Sequence, residues 1–227
     1  MKPQENRKKT ETLVLGAILT ALVVVLQFMG AFIRFGPFAI SLVLIPIVIG
    51  AAICGVGVST WLGFVFGIVV LISGDATAFL VVNAPGTIFT VLVKGMAAGF
   101  CAGIAYKAVL TMLDKRSKSK AEKMKTVGGM CDSCAEVAYS FISENNKYIA
   151  VLVAAIVCPL VNTGVFLIGC LMFFMETIAS WTTAAGLGGD VVHYMIFVLV
   201  GANFLFEIAS NIILSPVVVR LLNIKNK

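Results

Sequence analysis

Six stretches of this chain are so apolar that water cannot be their solvent, and they limit what it can fold into. They are Leu13–Ala31, Phe38–Cys54, Val58–Ile72, Pro85–Leu110, Tyr148–Phe174 and Val191–Leu222. Crossing a hydrocarbon core takes about 20 mostly apolar residues of helix at roughly 1.5 Å each. The third run is short and its boundary with the second is indistinct, so the count of six rests on reading them as separate spans. The chain is 60% hydrophobic and 12% charged, against about 45–50% and about 25% for a globular domain in water. The expected fold class is an all-α membrane protein, a compact bundle of six transmembrane helices.

The distribution of charge sets the expected orientation, because cytoplasmic loops retain Lys and Arg. Lys2, Arg7, Lys8 and Lys9 precede the first run, which is too long for a signal-peptide core of about 7–15 residues and is followed by no small-residue cleavage site. It therefore reads as an uncleaved first span. With both termini cytoplasmic, all but Arg34 and Lys94 of the 17 Lys and Arg lie at or near the inner side, while Asp75, Glu176, Asp190 and His193 lie on the other. The expected layout is a basic tail (1–12), transmembrane helices 1–4 (13–113), a basic cytoplasmic connecting segment (114–147), transmembrane helices 5–6 (148–222) and a cytoplasmic tail (223–227).

The connecting segment carries Lys115, Arg116, Lys118, Lys120, Lys123 and Lys125, a charge run expected to be solvated or to rest on anionic headgroups. Cys134–Ile142 reads as a short surface helix behind a Gly128-Gly129 hinge. Cys131 and Cys134 form a lone C-x-x-C with no second pair, so reduced thiols are expected rather than a four-ligand zinc site. No GxxxxGK[ST] occurs, which excludes ATP hydrolysis on a phosphate-cradling loop of its own. The sole histidine, His193, and the absence of paired carboxylates or a ligand cluster within a span argue against an enzyme, and nothing calls for a cofactor, a metal or a nucleic-acid partner.

Small residues predict how the helices meet. Gly95, Gly99 and Gly103 form one stripe at four-residue spacing, and Gly63 and Gly67 another; such stripes let backbones approach closely in lipid. Ala17 and Ala21, one turn apart in the first span, leave a shallow groove open either to internal packing or to a partner helix.

One charge stands out against this background: Lys94 lies ten residues after Ala84 and twelve before Tyr106, too deep for its stem to reach either interface. A charge at the bilayer centre costs roughly 2.5–3.5 kcal/mol even on lenient insertion scales. Two answers are open. Glu207, with Asn203 and Asn211 one turn away on its face, offers an internal ion pair, or an anionic group of a ligand meets the ammonium. Thr87 and Thr90 share the Lys94 stripe, and Asn162 follows Pro159 in the fifth run, where a missing N–H frees a carbonyl. Phe35, Phe38, Trp61, Phe64, Phe79, Trp181 and Tyr194 are candidates for an apolar pocket wall, and Asp75 and Asn83 for a lid. The candidate binding set is Lys94, Asn162, Thr90, Asn203, Glu207, Asn83 and Trp61.

The basic N-terminal tail, the A-x-x-x-A of Ala17 and Ala21, the stretch ISLVLIPIVIGAAICGVGVSTWLGFVFGIV and six spans without a nucleotide site together resemble the S-components of energy-coupling factor (ECF) transporters. The resemblance covers nearly all of Leu13–Leu222. It implies a substrate-binding subunit that captures a vitamin from outside and associates, through Ala17 and Ala21, with a transmembrane scaffold and two ATPase subunits. Lys94 favours a carboxylate-bearing substrate such as pantothenate, with folate or riboflavin as further candidates. The alternative is an autonomous ion- or proton-coupled carrier with Lys94 and Glu207 as its relay; such carriers show inverted repeats, and no clear repeat is visible here.

Overall fold

A computed structural model describes residues 2–32, 34–35, 38–39, 42–128, 131–184, 186 and 190–225. Nearly all of them are helical. The elements are α1 (Lys2–Phe32), the two-residue strands β1 (Arg34–Phe35) and β2 (Phe38–Ala39), α2 (Leu44–Ile53), α3 (Val56–Ser73), α4 (Thr77–Leu80), α5 (Ala84–Gly128), α6 (Asp132–Phe173), α7 (Met175–Ala184), α8 (Val191–His193), a π-helical stretch Tyr194–Gly201, and α9 (Ala202–Lys225). Five helical segments are long and apolar enough to cross a membrane, and α2 is a shorter apolar helix. The result is an all-α membrane bundle of about six helices.

Two expectations are corrected. The second run, Phe38–Cys54, is not one span: β1 and β2 pair as a small antiparallel ribbon (Arg34 with Ala39, Phe35 with Phe38), and only ten residues form α2. Ten residues reach about 15 Å, roughly half the hydrocarbon core. Pro46 sits in the first turn of α2, where its missing N–H would have had no partner anyway. The helix ends at Gly55, whose φ of 91° only glycine adopts without strain and which turns the chain directly into α3. The second correction concerns the connecting segment, which contains no separate surface helix. Cys134–Ile142 is the beginning of α6, and 114–128 is the end of α5.

Those two helices dominate the architecture. α5 has 45 residues and α6 has 42, so each runs for more than 60 Å at about 1.5 Å per residue, about twice the hydrocarbon core. The surplus forms a polar helical hairpin beyond the bundle. Asn146 ties its base together, its Nδ2 donating to Ser117 Oγ at 2.8 Å and to Asp114 Oδ1 at 3.2 Å.

Within the bundle α5 packs most extensively on α6 and next on α3. The α3–α5 crossing is backbone against backbone. A Cβ added at Gly63 would strike the Gly95 carbonyl, one at Gly95 would strike that of Gly63, and one at Gly99 would strike that of Ser59. Closeness lets Ser59 Oγ, fully buried, donate to the Gly99 carbonyl at 2.8 Å across the interface. The main core joins α1, α2, α3, α5, α6 and α9 around Val23, Ile47, Leu62, Phe66 and Val151. A second cluster gathers Phe79, Cys170, Phe174, Ile178, Met195 and Leu199 at the end bearing the α3–α4 turn. Large apolar residues such as Leu13, Ile72, Leu205 and Ile213 are exposed outside, as lipid contact requires.

Gly95→Val should force α3 from α5 and lower stability by about 1–3 kcal/mol or more, the range for overpacking. Gly164→Ala, where an added Cβ meets nothing within 4 Å, should leave the melting temperature in detergent nearly unchanged. Equal melting of the two variants would contradict the close-packed crossing.

Candidate functional site

The stripe Thr87, Thr90, Val91 and Lys94 occupies one face of α5 at helical spacing and looks into a cavity of about 90 Å³. Opposite it α6 contributes Asn162, Thr163 and Phe166, and the π-helical stretch with α9 contributes Leu199, Val200, Asn203 and Glu207. Phe66 and Val70 of α3 and Gln27 of α1 close the sides. Asp75, Ala76, Phe79 and Phe174 close the end nearest the α3–α4 turn.

The Lys94 ammonium lies 5.0 Å from the centroid of the Phe166 ring and 5.8 Å from that of Phe66. Both distances fall within the ~6 Å reach of a cation–π contact, worth roughly 0.5–2 kcal/mol depending on desolvation. Such rings stabilise a cation without neutralising it. No salt bridge joins Lys94 to Glu207 among the described residues. Glu207 Oε1 instead accepts from Asn203 Nδ2 at 3.0 Å, one helical turn earlier. Asp75 Oδ2 accepts from Gln27 Nε2 of α1 and, at 3.2 Å, from Ser73 Oγ. Each carboxylate of the cavity accepts from the protein through one oxygen, and both act electrostatically on Lys94, whose ammonium rests on aromatic faces.

Three neutral polar atoms, Thr90 Oγ1, Asn162 Oδ1 and Asn203 Oδ1, are buried without a hydrogen-bond partner among the described residues, as is the second oxygen of each carboxylate, Asp75 Oδ1 and Glu207 Oε2. A buried polar atom in that condition loses about 1–3 kcal/mol relative to a satisfied one, so the group is expensive unless something else completes it. Thr87 is different: its hydroxyl donates back to the Asn83 carbonyl at 2.8 Å, the usual behaviour of Thr within a helix.

Of the seven expected binding residues, Lys94, Thr90, Asn162, Asn203 and Glu207 line this one cavity, and Asn83 and Trp61 do not. Asn83 caps α5, its Oδ1 accepting from the Gly86 N–H at 3.0 Å, an arrangement that Asn placed just before a helix makes readily. Trp61 is 54% exposed on α3, its ring tilted at 43° to that of Phe64 with centroids 5.8 Å apart. It lines instead an open groove with Gly16, Ala17, Thr20 and Val58. Among the described side chains of the expected aromatic wall, only Phe79 reaches the cavity, where its ring meets Phe166 at 5.7 Å and Phe174 at 5.0 Å, edge to face. Trp181 packs on Phe79 from behind at 5.5 Å. The side chains of Phe35 and Phe38 lie outside the described residues. Asp75, expected in a lid, is part of the lining. Gln27 was not anticipated; a polar residue in a run as apolar as Leu13–Ala31 was the available signal.

The ECF transporter substrate-specific component family matches residues 11–222, and the chain belongs to it. No curated protein and no solved structure matches the chain. The protein is a multi-pass membrane protein, the S-component of an ECF transporter: a transport subunit that takes a small-molecule substrate and works with an ECF module. Family membership, not an autonomous ion-coupled carrier, is thus the frame for the cavity.

Gln27→Leu should remove the α1 donor from Asp75 and lower stability by about 1–3 kcal/mol, read as an earlier unfolding transition in detergent. An unchanged transition would mean that the α1 contact contributes nothing net.

Proposed function

We propose that the Lys94 cavity is the substrate site, and that the substrate is a small vitamin bearing a carboxylate, such as pantothenate, captured from outside the cell. The observation that carries this reading is the setting of Lys94: it lines a cavity, its ammonium lies against the rings of Phe66 and Phe166, and among the described residues it makes no salt bridge to Asp75 or Glu207, the carboxylates of the same cavity. A substrate carboxylate would complete the ammonium with a charge-assisted hydrogen bond, about twice as strong as a neutral one. Thr90, Asn162 and Asn203 would satisfy hydroxyl and amide groups of the same ligand, and Phe79, Phe166 and Phe174 would cover its apolar part.

The cavity of about 90 Å³ is smaller than the roughly 300–1,000 Å³ of sites for drug-sized ligands, so binding must widen it. Leu199 and Val200 of its wall belong to the π-helical stretch Tyr194–Gly201, a backbone geometry frequent at functional sites. In this reading the bundle end bearing Asp75, Phe79 and Phe174 faces outward, and the polar hairpin of α5 and α6 lies in the cytoplasm with both termini. Ala17 and Ala21, both exposed on α1, would receive the transmembrane scaffold subunit that carries two ATPases; the groove beside Ala17 is lined by Gly16, Thr20, Gly57 and Val58. Small side chains there let a partner backbone come close.

Lys94→Met should weaken pantothenate binding in calorimetry by about 100-fold, the loss of a buried charge-assisted hydrogen bond of roughly 3 kcal/mol. Wild-type affinity in the variant would remove the anion-recognition role. Separately, Ala17→Trp or Ala21→Trp should abolish uptake in cells that contain the full transporter while leaving binding by the purified subunit intact. Normal uptake by both variants would end the docking assignment.

A further inference from the structure

The transport reading leaves one pair of reactive groups without a task. Cys131 and Cys134 sit at the junction of the two longest helices, both exposed and both present as thiols. The other four cysteines are wholly or partly enclosed in the bundle, where a thiol behaves as a small hydrophobe. Cys131 is the N-cap of α6 in extended conformation, and its Sγ accepts from the Cys134 backbone N–H at 3.4 Å. The two sulfurs are in direct contact.

That arrangement distinguishes between two chemistries. A structural zinc wants four ligands. Among the described residues no group of three His, Cys, Asp or Glu could hold a metal. Two adjacent sulfurs at the tip of a hairpin, open to solvent and one helical turn apart, are instead placed for exchange with a disulfide. The N–H directed at Cys131 and the positive end of the 42-residue α6 stabilise negative charge on that sulfur. The sequence of the same hairpin is rich in Lys and Arg (Lys115–Lys125), which favours an anionic disulfide as reactant.

We propose that Cys131 and Cys134 form a thiol–disulfide exchange site, with low-molecular-weight disulfides of the glutathione class as its reactants. Cys131 thiolate attacks one sulfur of oxidised glutathione, forming a Cys131–glutathione disulfide and releasing one glutathione thiolate, which takes up the proton that Cys131 lost. Cys134, deprotonated in turn, attacks the Cys131 sulfur. The intramolecular disulfide forms and the second glutathione leaves, carrying the Cys134 proton. Two electrons pass from the protein to glutathione, and an excess of reduced glutathione reverses both steps. The site stands independently of the substrate assignment for the cavity, since neither sulfur approaches it.

The test uses the full-length protein in detergent, equilibrated with oxidised glutathione, quenched with a maleimide and cleaved with trypsin. Residues 126–147 then form one peptide that holds both cysteines. After reduction this peptide should carry two maleimides; after oxidation it should carry none and be 2 Da lighter than its unlabelled dithiol, with full recovery on return to reduced glutathione. Cys134→Ser should stop at the first step and accumulate glutathione on Cys131, a mass gain absent from the wild-type end product. Two labelled thiols after oxidation, or wild-type peptide carrying stable glutathione adducts, would overturn the proposal.

Discussion

An ammonium in hydrocarbon has no water to turn to, and the interior of this bundle is organised around that difficulty. Lys94 lies on the helix that packs against both α3 and α6, so its charge points where most of the bundle converges. Two aromatic faces meet it, which lowers its energy without cancelling its charge. The carboxylates that share its cavity are engaged by Asn203, Gln27 and Ser73. What remains is an oriented cation beside two carboxylates and several buried neutral oxygens, a polar group enclosed in an apolar bundle.

The precision of that placement comes from glycine. Because Gly63, Gly95 and Gly99 bring α3 and α5 into backbone contact, with Ser59 Oγ bonded to the Gly99 carbonyl, the register of the Lys94 stripe is set by a contact that tolerates no side chain. Phe66, one turn beyond Gly63, is thereby delivered beneath the ammonium. Packing and recognition are one interface read at two depths. The α5–α6 pairing does the same on the other side, with Asn146 fixing the pair outside the bundle and Phe166 and Asn162 facing Lys94 within it.

Much of this is legible in the sequence. Apolar length alone gives the helices, because in lipid a helix is the only open-ended way to satisfy the backbone. The i, i+3, i+7 spacing of Thr87, Thr90 and Lys94 gives their shared face, and the burial cost of Glu207 and Asn162 marks them as interior. Other features escape for definite reasons. The second run is apolar throughout, yet pairing of Arg34–Phe35 with Phe38–Ala39 and the position of Pro46 leave only α2 as helix. Hydropathy cannot register either. The polar hairpin looks like a loop because it lacks an apolar face, although helix continuity carries α5 and α6 straight through it. Trp61 and Asn83 look like binding groups by residue type, but helix rotation turns the first outward and the capping requirement of α5 claims the second. Gln27 reaches Asp75 across 48 positions of sequence, a separation at which local pattern is silent.

The cavity has a volume of about 90 Å³, and the glycine crossing of α3 and α5 holds the helix that carries Lys94. The most direct test is therefore an experimental structure of the protein with the ligand it retains on purification. The account predicts an acidic oxygen of that ligand about 2.7–2.9 Å from Lys94 Nζ, with the α3–α5 crossing unmoved. A ligand seated away from Lys94, or one presenting an uncharged end to it, would contradict the account.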